Sequence, residues 1–195
     1  QVVIISGPSG VGKDTIIDAL KRRKPAHPRR YVITVTTRDR RENETDGVHY
    51  HFYSVDDYQR LVASEGLLEA SLVHDHWYGT PRDQVQSAIR SGRDAILKID
   101  VQGADKVRAR IPEALLIFVV PPSIEELERR LRERRTETRE QAELRLRNAR
   151  IEMARTGEFD HVVVNETDKV DATAEAIDGI IAAEHRRYAE RRIRV

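Results

Sequence analysis

The chain has 195 residues, 39% hydrophobic and 34% charged, the length of one domain and enough to bury roughly 70% of its unfolded surface. It has no cysteine, which excludes a disulfide scaffold, a thiol nucleophile and any cysteine-based metal site. Thirty-four Lys and Arg against 33 Asp and Glu give a formal charge of +1, which argues against bulk nucleic-acid binding.

Five short apolar runs rich in Val, Ile or Leu recur at Val2–Ser6, 31–36, 95–100, Leu115–Val120 and 161–165. None alternates cleanly, as expected of strands buried on both faces of a parallel sheet. Helical stretches lie between most of them, so the chain reads as α/β. After the first run comes a glycine-rich loop and then a helix. Residues 38–79 interrupt the rhythm with an alternating stretch at 49–53, turn residues Asn43 and Gly47, and a short helix near 55–64. Thr80 followed by Pro81 reads as an N-cap and first-turn proline, with Gly92 as the stop. Ser123 with Glu126 makes a capping box opening a helix over 124–134, and Thr138 with Gln141 makes a second, opening a helix to about 156. The intervening 121–146 stretch is crowded with Arg and Glu. A final helix runs over about 171–192, with Ile177, Ile180, Ile181 and Tyr188 near helical spacing. The two interruptions are either functional insertions on a rigid core or solvated surface excursions. No apolar run approaches the ~18 residues of a membrane span and no signal-peptide pattern is present. The expectation is a soluble cytoplasmic protein without membrane or nucleic-acid partners, opening at Gln1 on a strand as a trimmed N-terminus would.

Gly7-Pro8-Ser9-Gly10-Val11-Gly12-Lys13 fits the phosphate-loop pattern between a strand and a helix. Glycines let successive N–H groups curl inward onto phosphate oxygens, the helix offers its positive end, and Lys13 brings a full charge to the β- and γ-phosphates. The pattern asks next for Ser or Thr to touch Mg²⁺. Here Asp14 stands there, and Thr15 points about 100° further round the helix.

The loop with its leading Ser6, Thr36-Thr37-Arg38 with Arg41, Gly47 and Tyr50, Glu69, Trp77-Tyr78-Gly79-Thr80, Ile99-Asp100 with Gln102-Gly103, Pro121-Pro122-Ser123 and Val163-Val164-Asn165 together resemble the guanylate kinase family, in order along nearly the whole chain. The resemblance implies a P-loop nucleoside-monophosphate kinase fold: a five-stranded parallel core (1–33, 80–121 and 147–195), an inserted GMP-binding lobe (34–79) and a lid (122–146), all in one guanylate-kinase-like domain. It implies ATP as co-substrate, Mg²⁺ as cofactor, and GMP as acceptor. By motif match Arg38, Arg41, Tyr50 and Tyr78 would hold the GMP phosphate, which guanidinium forks and phenol hydroxyls suit well. Glu69, Thr34 and Thr80 would read guanine, with Gly79 and Asp100 in the same site. One carboxylate can accept both N1–H and N2–H of guanine, whereas adenine carries no hydrogen on N1.

The resemblance also makes Arg130, Arg134 and Arg145 the lid arginines that neutralise charge on the transferred group, alongside Lys13 and Arg38. Arg134 and Asn165 would border the adenine of ATP, whose phosphates fall to Gly7 through Thr15. Arg129, Arg132 and Arg135 read instead as solvated helix-face charges with i,i+4 partners. Asp100 and Asp14 are the candidate Mg²⁺ ligands. Lys98 departs from the family's usual acidic residue; it could neutralise Asp100, contact a phosphate or turn outward. Two other readings compete with GMP phosphorylation. Scaffold domains of this kind bind phosphopeptides and typically lose the loop lysine and lid arginines, which this chain keeps. A relative that phosphorylates ribose 1,5-bisphosphate shares Lys-Asp after the glycines but does not need the guanine-reading set. The state would be a monomer or a homo-oligomer.

Overall fold

The structure, a computed structural model, describes residues 1–73, 75–132 and 139–193. Along the chain run β1 (Val2–Ser6), α1 (Lys13–Arg22), β2 (Arg29–Tyr31), β3 (Val35–Thr36), β4 (His51–Phe52), α2 (Val55–Ala63), β5 (Leu67–Val73), β6 (His76–Pro81), α3 (Arg82–Arg90), β7 (Asp94–Lys98), α4 (Val101–Arg110), β8 (Leu115–Val120), α5 (Ile124–Arg132), α6 (Arg139–Met153), β9 (His161–Val164) and α7 (Val170–Ile193). A five-stranded, all-parallel sheet has the order β2-β7-β1-β8-β9. Parallel neighbours need long crossovers, which the helices supply. A second sheet has the order β4-β3-β6-β5. This is the α/β class expected from the sequence.

The chain divides into two compact units, Gln1–Ile4 with Pro28–Leu115, and Ile5–His27 with Leu116–Val195. In the first, Ala95, Ile96 and Leu97 of β7 are almost wholly buried, and Val35, Tyr58 and Leu67 form a small core under the second sheet. In the second, α1 packs on α7. Ile16 and Leu20 of α1 and Ala174, Ile177 and Ile181 of α7 are buried, so Ile177 and Ile181 of the apolar spacing read in the last helix lie on its inner face, Ile180 is half-buried, and the Tyr188 side chain lies outside the described residues. Each fully buried Ile or Leu contributes about 1.5–3 kcal/mol.

Several local expectations give way. The 31–36 run is two strands in two sheets. Tyr31 pairs with Ile96 in β7, but Val35 and Thr36 pair with Gly79 and Tyr78 in β6. Between them the Gln84 amide takes over both backbone groups of Ile33, accepting from its N–H at 2.9 Å and donating to its carbonyl at 3.2 Å. That exchange lets the chain change sheets without orphaning a peptide group. The edge strands are not buried on both faces: Val162 and Val164 of β9 remain 49% and 45% exposed. Thr80 does not cap α3, whose N-cap is Pro81; it sits in β6 with its hydroxyl on Glu69. Asp100 lies beyond β7 as the N-cap of α4, accepting from the Gly103 N–H at 3.0 Å.

Ser123 accepts from the Glu126 N–H at 3.2 Å, as a capping box requires. The expected helix end at Arg134 and the second box's Thr138 lie outside the described residues. Among the described residues no helix is long and apolar enough to cross a membrane.

Candidate active site

One set of candidate residues is the loop between β1 and α1. Gly7 and Gly12 take φ of 145° and 98°, conformations that side chains resist. A Cβ on Gly7 would stand 2.3 Å from the Val119 carbonyl oxygen, and one on Gly12 2.7 Å from Asn165 Nδ2. Gly12 is also the N-cap of α1 and offers no side-chain cap hydrogen bond, and a helix N-terminus favours an anion. The Lys13 ammonium donates to the carbonyls of Gly7 at 2.5 Å and Pro8 at 3.1 Å. Asp14 and Thr15 are exposed in the first turn.

Residues distant in sequence hold this loop in shape. Asn165, 5% exposed, donates through Nδ2 to the Val11 carbonyl at 2.8 Å and accepts from the Thr173 hydroxyl at 3.0 Å. Arg130 donates to the carbonyls of Val11 at 3.3 Å and Asn165 at 3.2 Å, and to Glu126 at 2.8 Å. Glu126 in turn binds Arg129, Thr167 and Arg130, and these hydrogen bonds hold its carboxyl far below the ordinary range. Arg145 donates to the Ser9 hydroxyl at 3.3 Å. Two of the three sequence-selected lid arginines therefore reach the loop; Arg134 and Arg135 lie outside the described residues. Arg129 pairs with Glu126 and Arg132 with Glu128, as surface charges were expected to do. Because Asn165 is buried and bonded on both sides, Asn165→Ala is expected to cost about 1–3 kcal/mol of stability, measured by urea unfolding, with no loss of secondary structure.

A separate cluster of candidate residues lies in the first unit. Thr36 Oγ1 accepts from the Arg38 N–H at 3.2 Å, and Thr37 Oγ1 from the Trp77 N–H at 3.0 Å, so the Thr-Thr-Arg motif fixes its own backbone. Glu44 then accepts both NH2 bonds of Arg38, at 2.7 and 3.0 Å, and the Arg41 N–H at 2.8 Å. Burial would push Glu44 up, but the Arg38 guanidinium and the Arg41 amide outweigh it and hold the carboxyl low. Burial likewise opposes the Arg38 charge, and Glu44 with the Tyr78 hydroxyl more than restores it. The Tyr50 and Tyr78 rings meet edge-on at 6.0 Å, with the Arg38 guanidinium 5.6 Å from the centre of Tyr50. Arg38, Tyr50 and Tyr78 thus meet at one spot, with Arg41 in the adjoining turn.

Glu69 is 4% exposed on β5, directly opposite Thr80 of β6. Its two carboxylate oxygens accept from the Thr80 hydroxyl at 2.8 Å and the Ser71 hydroxyl at 3.0 Å. Desolvation raises its pKa; those two bonds resist, and Asp100 nearby adds to the rise. Gly103 keeps the approach open, since a Cβ there would lie 3.2 Å from Glu69 Oε2 and 3.1 Å from Asp100 Oδ1. Gly79 is just as constrained, 2.6 Å from Leu67 Cδ1 by the same measure. Thr34 is buried with its carbonyl accepting from the His51 N–H at 2.9 Å. Lys106 supports the pocket from behind, donating to the Ala70 carbonyl and to the Ser71 hydroxyl at 3.2 Å. Sequence reading missed Glu44, Ser71 and Lys106. Ser71 was findable, because residues two apart on a strand share a face with Glu69.

A strand, a glycine loop closed by lysine, a helix and a five-stranded parallel sheet define a phosphate-loop α/β kinase fold. The family model described as "Guanylate kinase" matches residues 1–184. Guanylate kinase of Cutibacterium acnes is 48% identical over 85% of this chain and 83% of its own length, and that of Desulfitobacterium hafniense 40% over 94% and 90%. The crystal structure of guanylate kinase from Anaplasma phagocytophilum superposes with a TM-score of 0.75 at 29% identity, covering 94% of this chain and 85% of that one. The chain belongs to the guanylate kinase family.

Proposed function

We propose that the protein is an ATP:GMP phosphotransferase, moving the γ-phosphoryl group of ATP to GMP to give ADP and GDP. The observation that carries this reading is the buried Glu69, a carboxylate held by two hydroxyls in a chain of this family. Guanine's N1–H and N2–H are donors that such a group accepts, with Thr34, Thr80 and Asp100 around it. Arg38, Arg41, Tyr50 and Tyr78 hold the acceptor phosphate, the Arg38 guanidinium leaving Glu44 to do so. Residues 34–79 then form the acceptor lobe and 122–146 the lid.

The loop from Gly7 to Thr15 takes the phosphates of ATP, with Lys13 exchanging its loop carbonyls for phosphate oxygens. Arg130, Arg134 and Arg145 add charge as it spreads over the transferred group. Arg134 and Asn165 remain the candidates beside adenine, although the Asn165 side chain already serves Val11 and Thr173. A phosphopeptide-binding scaffold needs neither Lys13 nor the lid arginines, and a ribose bisphosphate kinase needs no guanine reader.

Magnesium fits the donor set. Among the described residues no cluster of three ligating side chains exists, but Mg²⁺ at such sites keeps its waters and takes one or two carboxylates plus substrate phosphates. Asp14 stands exposed beside Lys13, and Asp100 uses Oδ1 on the Gly103 amide while its carboxylate retains further lone pairs. Each of these carboxylates would be a ligand for the metal, which when bound would supply charge neutralisation for the terminal phosphates. Asp14 repels those phosphates when no metal is present. Asp14→Ser is therefore expected to stay active and to narrow the gap between ATP affinity with and without Mg²⁺. Titration calorimetry of both proteins measures that gap; an equal gap makes Asp14 a helix-terminus residue only.

The assignment is tested by ADP formation from Mg-ATP with GMP, AMP, UMP, CMP or ribose 1,5-bisphosphate. GMP is expected to be preferred over AMP by roughly 10⁴-fold. Preference for another acceptor would refute it.

A further inference from the structure

The β5–β6 register shifts between Leu67 and Glu69, and irregularities of this kind re-aim a side chain. From Glu69 onward the pairing is regular, with Glu69 opposite Thr80 and Ser71 opposite Tyr78. Residues two apart on a strand share a face, so Glu69 and Ser71 lie side by side, both buried. The Thr80 hydroxyl donates to one carboxylate oxygen at 2.8 Å and the Ser71 hydroxyl to the other at 3.0 Å. An ionised carboxylate has about four acceptor positions, so each oxygen keeps capacity for a further donor.

The direction of the Ser71 bond is fixed from behind. Lys106 of α4, an exposed residue, donates through its ammonium to the Ser71 oxygen at 3.2 Å and to the Ala70 carbonyl. An ammonium has no acceptor lone pair, so the single hydroxyl hydrogen of Ser71 goes to Glu69. The three groups form a chain from ammonium to hydroxyl to carboxylate, in which each bond polarises the next. Its far end is a positive charge that offsets the burial of Glu69 beside Asp100. Burial and Asp100 push the Glu69 carboxyl up, while Thr80, Ser71 and Lys106 pull it down.

We infer that Ser71 and Lys106 are specificity-determining positioning residues. Together with Thr80 they pin the Glu69 carboxylate so that both oxygens present a lone pair to two donors at once. Guanine offers that pair of donors and a base with a single N–H on the same edge does not. The inference rests on the reading of Glu69 as the guanine-binding carboxylate, and both residues act through Glu69.

The test compares GMP with IMP as acceptors, which differ by the 2-amino group alone: IMP keeps N1–H and lacks the N2 donors. Ser71→Ala removes the hydroxyl, Lys106→Met removes the charge at an exposed position where folding is least at risk, and Lys106→Arg restores a cationic donor. The kcat/KM for each acceptor and KM for ATP are measured by ADP formation in the single variants and in the Ser71→Ala/Lys106→Met double variant. In Ser71→Ala the GMP-to-IMP ratio of kcat/KM is expected to fall about tenfold, the size of one hydrogen bond to a charged group. In Lys106→Met it falls about threefold, because solvent screens an exposed charge, and Lys106→Arg recovers most of that loss. The double variant falls no further than Ser71→Ala, since Lys106 acts through the hydroxyl, and KM for ATP stays within about twofold throughout. Equal losses toward GMP and IMP, an unchanged ratio in either single variant, or a Lys106→Met effect that persists in full without the Ser71 hydroxyl overturns the inference. If the unaltered protein forms no ADP with GMP, the functional reading itself fails; if it does and the variants keep the full GMP-over-IMP preference, only the roles of Ser71 and Lys106 fail.

Discussion

Replacing Glu69 by glutamine is expected to lower kcat/KM for GMP by roughly 10³-fold or more while KM for ATP stays within about twofold. The carboxylate is buried, and each oxygen already accepts one hydroxyl, from Thr80 and Ser71. Its remaining lone pairs suit two donors on one edge of a base. An amide in its place turns one oxygen into a donor facing donors, and unpaired buried polar groups are costly. A pH signature accompanies this loss. Burial raises the pKa of Glu69 above that of an exposed carboxyl, with Asp100 adding to the rise. A carboxyl raised in the folded state favours folding most below its unfolded value of about 4.3, and that contribution is lost as pH rises through the folded value. Guanine binding runs the other way, since only the ionised form accepts both N–H groups. The kcat/KM for GMP should therefore fall as pH drops through the raised value of Glu69, and that acid limb should be missing in Glu69→Gln. An unchanged pH profile, or equal losses toward ATP and GMP, would remove Glu69 from guanine recognition.

Lys13→Met should lower kcat by at least about 10²–10³-fold, the usual cost of removing one donor aimed at developing charge. The fold should survive. Lys13 donates to Gly7 and Pro8, but the far side of the loop is held independently by Asn165 and Arg130 on the Val11 carbonyl. Single-turnover kinetics with circular dichroism separates lost chemistry from lost structure. A variant that turns over normally would show that Lys13 serves the loop alone.

The parts of the molecule legible in the sequence were those fixed by local chemistry. Gly7 to Lys13 read as a phosphate loop because its positive φ values demand glycine. Buried runs such as Val2–Ser6 and Leu115–Val120 read as parallel strands because no face of them meets water. Strands β5 and β6 of the second sheet were not read as strands, since they owe their pairing to cross-strand partners such as Glu69 and Thr80. The split of 31–36 was hidden for the same reason: Gln84, some fifty residues on, replaces the ladder at Ile33. Thr80 looked like a cap because its neighbour is proline, but a buried carboxylate across the strand pair competes better for its hydroxyl. Glu44 was passed over as one more charge in a charged loop; only its bonds to Arg38 and Arg41 distinguish it.

The most direct measurement follows the phosphoryl group itself. The protein is incubated with Mg²⁺, GMP and ATP labelled in the γ-phosphate, and the products are separated. Label is expected in GDP, in step with ADP formation and strongly reduced when AMP replaces GMP. Label appearing only as inorganic phosphate, or passing to AMP as readily as to GMP, would contradict the assignment.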